Sequence, residues 1–285
     1  MYSEIDTKHT TAVEVEIQSA YKFMFPQGDR TFVSRAFAWT MECFSGNHAG
    51  YQAIDARYHD FEHTLQGSLC LARLLRGRHA AGAQPPLTQK IFELGLLAIL
   101  LHDTGYLKRS DDTAGTGAKY TLIHVNRSVD FAGELLGQKG FSDEEITAVQ
   151  NMIRCTGVNV DLSSIPFQNE LERTVGFALG TSDLLGQMAA KDYVEKLPIL
   201  YLEFEESARH NDGRMTAAGS FSSAEELMRK TPLFWERYVL PKIQQDFNGL
   251  YEFLNVPYPE GANLYLRRIE RNLSKLREKW NAPVS

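Results

Sequence analysis

Apolar residues recur at three- and four-residue steps along almost the whole chain, and alternating strand patterns are scarce, so the sequence predicts helices throughout. A first helix is expected over residues 11–23, stopping before Pro26 and Gly28, and a second over 32–44, stopping at Ser45-Gly46-Asn47. Residues 59–76 carry an apolar stripe of Phe61, Leu65, Leu69, Leu71, Leu74 and Leu75, punctuated afterwards by Gly77, Gly82 and Pro85-Pro86. Thr88 fits the N-cap of a helix that runs through the apolar stretch Ile91 to Leu101 into His102-Asp103. A polar, glycine-bearing loop, Ser110 to Gly117, comes next. Helices are expected over 122–136 and 143–155, the latter opened by the capping-box pair Ser142 and Glu145. Further helices are predicted over 170–188, then onward through Glu206, then over 223–229, 233–254 and 263–280, with a break at His210-Asn211-Asp212-Gly213. Without repeats or a linker, the economical reading is one all-α domain over 1–285. A core over about 58–190 would carry extra N- and C-terminal helices, the C-terminal extension covering about 191–285.

Composition narrows the function classes. A chain of 285 residues, 43% hydrophobic, is ample for a large core, and its formal charge of -6 argues against extended nucleic-acid binding while leaving room for a small anionic substrate. The longest apolar run contains Glu93 and is too short to cross a bilayer, so no membrane association is expected. Cys43, Cys70 and Cys155 are odd in number and form no Cys-x-x-Cys pair. With no signal-peptide core at the amino terminus, they read as reduced buried thiols of a cytoplasmic protein.

The chemistry concentrates in two segments, Tyr58-His59-Asp60-Phe61-Glu62-His63 and Leu101-His102-Asp103-Thr104-Gly105. On one helix, His59 and His63 would lie about 40° apart and face one cleft. His102 and Asp103 are adjacent, and at the end of a rigid apolar helix both can converge on an ion set off its axis. Imidazole with carboxylate suits a divalent metal. A further ligand is expected, and Asp183 is the choice, because an aspartate in the apolar, small-residue segment Phe177 to Leu185 is costly to bury without a partner.

His63, His102-Asp103 and Asp183, in that order, resemble the H…HD…D signature of the HD-domain metal-dependent phosphohydrolases, over roughly residues 58–190. Tyr58-His59-x-x-x-His63 is similar to a segment of the class I cyclic-nucleotide phosphodiesterases. The resemblance implies an all-helical fold with four ligands on separate helices and one or two divalent ions (Mn, Fe, Ni, Zn, Co or Mg). It also implies catalytic roles for His59, Asp103 and His124. His59 would protonate the leaving oxygen, Asp103 would bridge to a second ion, and His124 would ligate that ion or assist proton transfer. The implied reaction is hydrolysis of a small phosphate ester, with nucleotides and cyclic nucleotides foremost among the substrates.

Two other classes compete. An HD-fold di-iron oxygenase would need more histidines than His124 between Asp103 and Asp183, and a non-catalytic nucleotide-binding module would not need the intact acid and ligand positions. Lys108, Arg109 and Lys119 beside the glycine loop read either as phosphate contacts or as solvated charges. Glu203, Glu205 and Glu206 read as a wet helix face. The stripe Leu266, Ile269, Leu273 and Leu276 reads as docking onto the domain body, with a homodimer contact as the sharper alternative.

Overall fold

The computed structural model describes residues 4–211 and 221–281. Among them are ten α-helices: α1 (Thr10–Met24), α2 (Phe32–Phe44), α3 (Phe61–Ala80), α4 (Gln89–Leu101), α5 (His124–Gln138), α6 (Asp143–Arg154), α7 (Glu170–Met188), α8 (Tyr193–His210), α9 (Ala224–Phe234) and α10 (Leu264–Asn281). The only sheet among the described residues pairs β1 (Asn255–Val256) antiparallel with β2 (Ala262–Asn263). The fold is therefore all-α, and no described helix is long and apolar enough to cross a membrane.

Local chemistry sets the helix starts. Thr88 accepts from the Ile91 N–H, Asn169 from Glu172, and Ser142 and Glu145 form the reciprocal capping box. Helix α4 is buried from Phe92 to Leu101, which explains its apolar character all the way round. It packs on α3, α6 and α7, and the α3–α7 pair forms the most extensive helix contact of the core.

Glycine makes that contact close. A Cβ at Gly186 on α7 would stand 2.8 Å from the Gln66 backbone on α3. Gly186→Ala is expected to push the two helices apart and to destabilise the protein by about 1–3 kcal/mol, read as a lower urea midpoint. An unchanged midpoint would show that the interface yields freely.

The predicted helix over 233–254 is the largest correction. Helix α9 continues past its expected end to Phe234, and the chain then runs through two π-helical turns, Trp235–Val239 and Lys242–Asp246, and a 3₁₀ segment, Leu250–Leu254. Pro241 supplies no N–H between the π turns, and the left-handed Asn248 (φ 53°) and Gly249 (φ 67°) reverse the chain after them. Of the expected break at 210–213, His210 ends α8, Asn211 caps it, and Asp212 and Gly213 lie outside the described residues.

The stripe on α10 faces the protein. Ile269, Leu273 and Leu276 are buried against the body formed by α7, α8 and α9. The three cysteines are buried free thiols.

Candidate metal centre

Asp60 is the N-cap of α3, accepting from the His63 N–H at 2.9 Å. His63 thus opens the helix with its side chain 4% exposed, and His59 lies before the helix rather than on its face. The 40° relation expected between them does not hold. Their rings still stand 5.4 Å apart, because the extended Asp60 backbone turns His59 back toward the site. His102 caps the C-terminus of α4, Asp103 follows it, and Asp183 projects from α7.

Four side-chain atoms on three separate helical segments converge. His63 Nε2 lies 3.2 Å from Asp103 Oδ2 and 3.2 Å from Asp183 Oδ1. His102 Nε2 lies 3.3 and 3.4 Å from the same two oxygens. His63, His102 and Asp103 alone place one ligand atom each within 4.8 Å of one another. Despite these distances, His102 Nε2, Asp103 Oδ2 and Asp183 Oδ1 are buried without a hydrogen-bond partner. His102 Nδ1 donates to the Ile99 carbonyl at 2.7 Å, which turns Nε2 to the carboxylates; burial draws its pKa down, but Asp103 and Asp183 outweigh it and raise it in the bare protein.

Carboxylate oxygens and imidazole nitrogens this close in a dry site need a positive charge between them, a ring proton in the bare protein or a metal cation in the loaded one. Adjacent ligands on a divalent ion held at about 2.1 Å are spaced about 3.0–3.4 Å apart, which matches the spacing here. The residues therefore fit a divalent metal. In the bare protein, burial draws the His63 pKa down, but Asp103 and Asp183 outweigh it and hold it up, to about 10. Burial opposes the ionisation of Asp103 as well, and the facing imidazoles still hold its pKa well below the usual carboxylate range.

Asp103 turns its other oxygen the opposite way, with His124 Nε2 3.9 Å from Oδ1. His124 opens α5, donates Nδ1–H to the Thr121 carbonyl at 2.7 Å and is neutral, burial lowering its pKa. It stands beside the four-atom cluster rather than in it. Gly105 holds the two segments together. A Cβ there would come within 2.0 Å of the His124 carbonyl oxygen, and the Gly105 N–H donates to Ser128 Oγ at 2.8 Å.

The structure also supplies a residue that sequence reasoning set aside. Glu203 is only 4% exposed, although it belongs to the acidic run taken for a wet face. Its Oε1 accepts from the Tyr58 N–H at 2.7 Å and its Oε2 from His59 Nδ1 at 2.6 Å. Burial favours the protonated acid, but His59 and these hydrogen bonds lower its pKa, so the group is a carboxylate. With Nδ1 held by Glu203 and its ring stacked on Tyr106 at 4.4 Å, His59 has one orientation, Nε2 outward. Tyr106 also stacks on His124 at 4.7 Å.

The basic residues near the glycine loop serve the loop. Lys108 is buried and bonds Asp55 at 2.9 Å and the Gly115 carbonyl at 2.7 Å, while buried Lys119 holds Asp112 and the Ala114 carbonyl. Glu206 takes the Thr116 hydroxyl at 2.7 Å, and Asp55 takes the Gly117 N–H at 2.7 Å. Arg109 is exposed and lies over the Tyr51 ring at 4.6 Å. Of the two readings open to these cations, Lys108 and Lys119 follow neither and pin the loop, while the exposed Arg109 matches the solvated charge.

The fold and this cluster define an all-α protein with a buried, convergent histidine–aspartate centre. The chain belongs to the Npun_R2479-like family, whose model matches residues 110–256, just over half of its length. The matched stretch contains His124, Asp183 and Glu203 and leaves His63, His102 and Asp103 outside it. No curated protein matches the chain.

Proposed function

We propose that the protein is a divalent-metal-dependent phosphohydrolase of the HD-domain type, acting on a small phosphate ester. The observation that supports this best is the set of buried, partnerless polar atoms on His102, Asp103 and Asp183, joined by His63 Nε2. A divalent ion held by these four residues supplies Lewis-acid polarisation of a phosphoryl oxygen and lowers the pKa of water.

The remaining chemistry belongs to the chain. His59 is the general acid: Nε2 carries the proton delivered to the leaving oxygen, and Glu203 orients the ring through Nδ1. Tyr106 keeps the His59 and His124 rings side by side against one flat face. His124 offers a neutral Nε2 toward Asp103 Oδ1, where it can accept a proton or complete a second ion site.

A panel of phosphomonoesters and phosphodiesters, assayed with Mn, Mg, Ni and Fe after metal removal, tests the reading. Release of phosphate or nucleoside that depends on added metal is expected, and no release from any ester with any metal would overturn it. The same ions are expected to raise the melting temperature of the stripped protein by roughly 5 °C at a hundredfold excess over Kd. Asp183→Asn should lose that rise. A shift equal in parent and variant would place binding elsewhere.

A further inference from the structure

Resting on the reaction proposed above, we infer that Arg127 is a positioning residue. Its guanidinium fork holds the backbone on both sides of Tyr106, and through that ring it sets His59 and His124 relative to each other and to Asp103. Arg127 Nε donates to the Gly105 carbonyl at 2.7 Å, and Nη2 donates to the Leu107 carbonyl at 2.8 Å. These are the two carbonyls that bracket Tyr106. The guanidinium also lies over the Tyr120 ring, 3.6 Å from its centre, and the Tyr120 hydroxyl is itself anchored on Asp112 at 2.5 Å. A half-buried arginine fixed in three directions is a rigid part of the fold rather than a solvated charge.

Each end of this bridge carries site chemistry. Arg127 stands one turn after His124 on α5, so the two side chains leave the same side of the helix. Tyr106 ends the 3₁₀ turn Thr104–Tyr106, which starts directly after Asp103, and its N–H donates to the Asp103 carbonyl at 3.1 Å. With the Ser128 hydroxyl taking the Gly105 N–H, two consecutive residues of α5 grip the turn through three bonds. The Tyr106 ring at its centre is fully buried. His59 and His124 stack on that ring at 4.4 and 4.7 Å, with 6.2 Å between their own centroids. Releasing the two carbonyls frees the turn to rotate, and both imidazoles then lose their common support. The four-atom cluster is carried by the start of α3, the end of α4 and α7, so metal binding should outlast the change.

Arg127→Ala and the milder Arg127→Lys test this, each first checked for a cooperative melt and for the divalent ion carried by the parent. Lysine keeps the charge but cannot fork across two carbonyls, so it should fail as alanine does. On esters with alkoxide-like leaving groups, both variants should lose about 10²-fold in kcat at unchanged KM. Esters of p-nitrophenol should lose much less. Proton NMR with magnesium present reads the placement itself. The carbon-bound ring protons of His59 and His124, assigned with His59→Gln and His124→Gln, should be displaced by the Tyr106 ring current in the parent and released in Tyr106→Leu. Both Arg127 variants should move them toward the released positions. Histidine signals unmoved by the Arg127 changes would overturn the inference. Full kcat in Arg127→Lys, or a loss confined to KM, would also overturn it, since either marks a charge that attracts the phosphate. Loss of cooperative melting in both variants would make Arg127 a residue of the fold alone. If the parent hydrolyses no ester, the phosphohydrolase reading falls, and the NMR comparison still decides whether Arg127 sets the two rings.

Discussion

Asp103→Ala is expected to strip the divalent ion from the protein and to lower phosphate-ester turnover by about 10⁴-fold or more. Asp103 is 2% exposed, and its two oxygens serve two directions, Oδ2 toward His63 and His102 and Oδ1 toward His124. No other described carboxylate except Asp183 reaches those imidazoles. Asp103→Asn keeps the volume and removes the charge, so it should fold as the parent does and still lose the metal. A cooperative melt together with absent metal separates loss of the site from loss of the fold. Retained turnover in a folded, metal-free Asp103→Asn protein would contradict the account.

The second large effect concerns proton delivery. His59→Ala should slow hydrolysis of esters with poor, alkoxide-like leaving groups by about 10²–10⁴-fold and leave bound metal unchanged. Glu203→Gln should act in the same direction to a smaller extent, because the amide oxygen can still accept from Nδ1 but holds the ring less firmly than the charge-assisted carboxylate contact at 2.6 Å. An ester with a good leaving group, such as p-nitrophenolate, needs little protonation and should be nearly insensitive to either change. That dependence on leaving group is what a merely structural role would not produce. Equal losses on both kinds of ester would remove His59 as the general acid.

The residues that converge in the cluster were legible because His102-Asp103 and Asp183 break their local patterns. His102-Asp103 ends a helix that is otherwise apolar all round, and Asp183 interrupts a segment of small and apolar residues. Those are positions where an ionisable group is costly without a partner, and the structure places them within 3.4 Å of the facing groups. Helix starts carried by Thr88, Ser142 and Asn169 were readable for the same local reason.

Glu203 was not legible, because three acids in four positions look like a solvated face whichever way the helix turns. Only the tertiary fold, which brings Tyr58 and His59 against α8, turns Glu203 inward, while Glu206, one turn on, is spent holding Thr116. Lys108 and Lys119 fit neither reading open to the sequence, phosphate contact or solvated charge, since packing gave them loop carbonyls and carboxylates. The break-up of residues 233–254 left a trace that periodicity masked, in Pro241 and the Asn248-Gly249 reversal.

The most direct test of the central claim is the divalent-metal content of the purified protein beside that of Asp103→Asn and Asp183→Asn, measured by elemental analysis on folded samples. The account predicts at least one ion per chain in the parent and essentially none in either variant. Equal metal content in all three, or a parent that takes up no divalent ion from any of the metals offered, would contradict it.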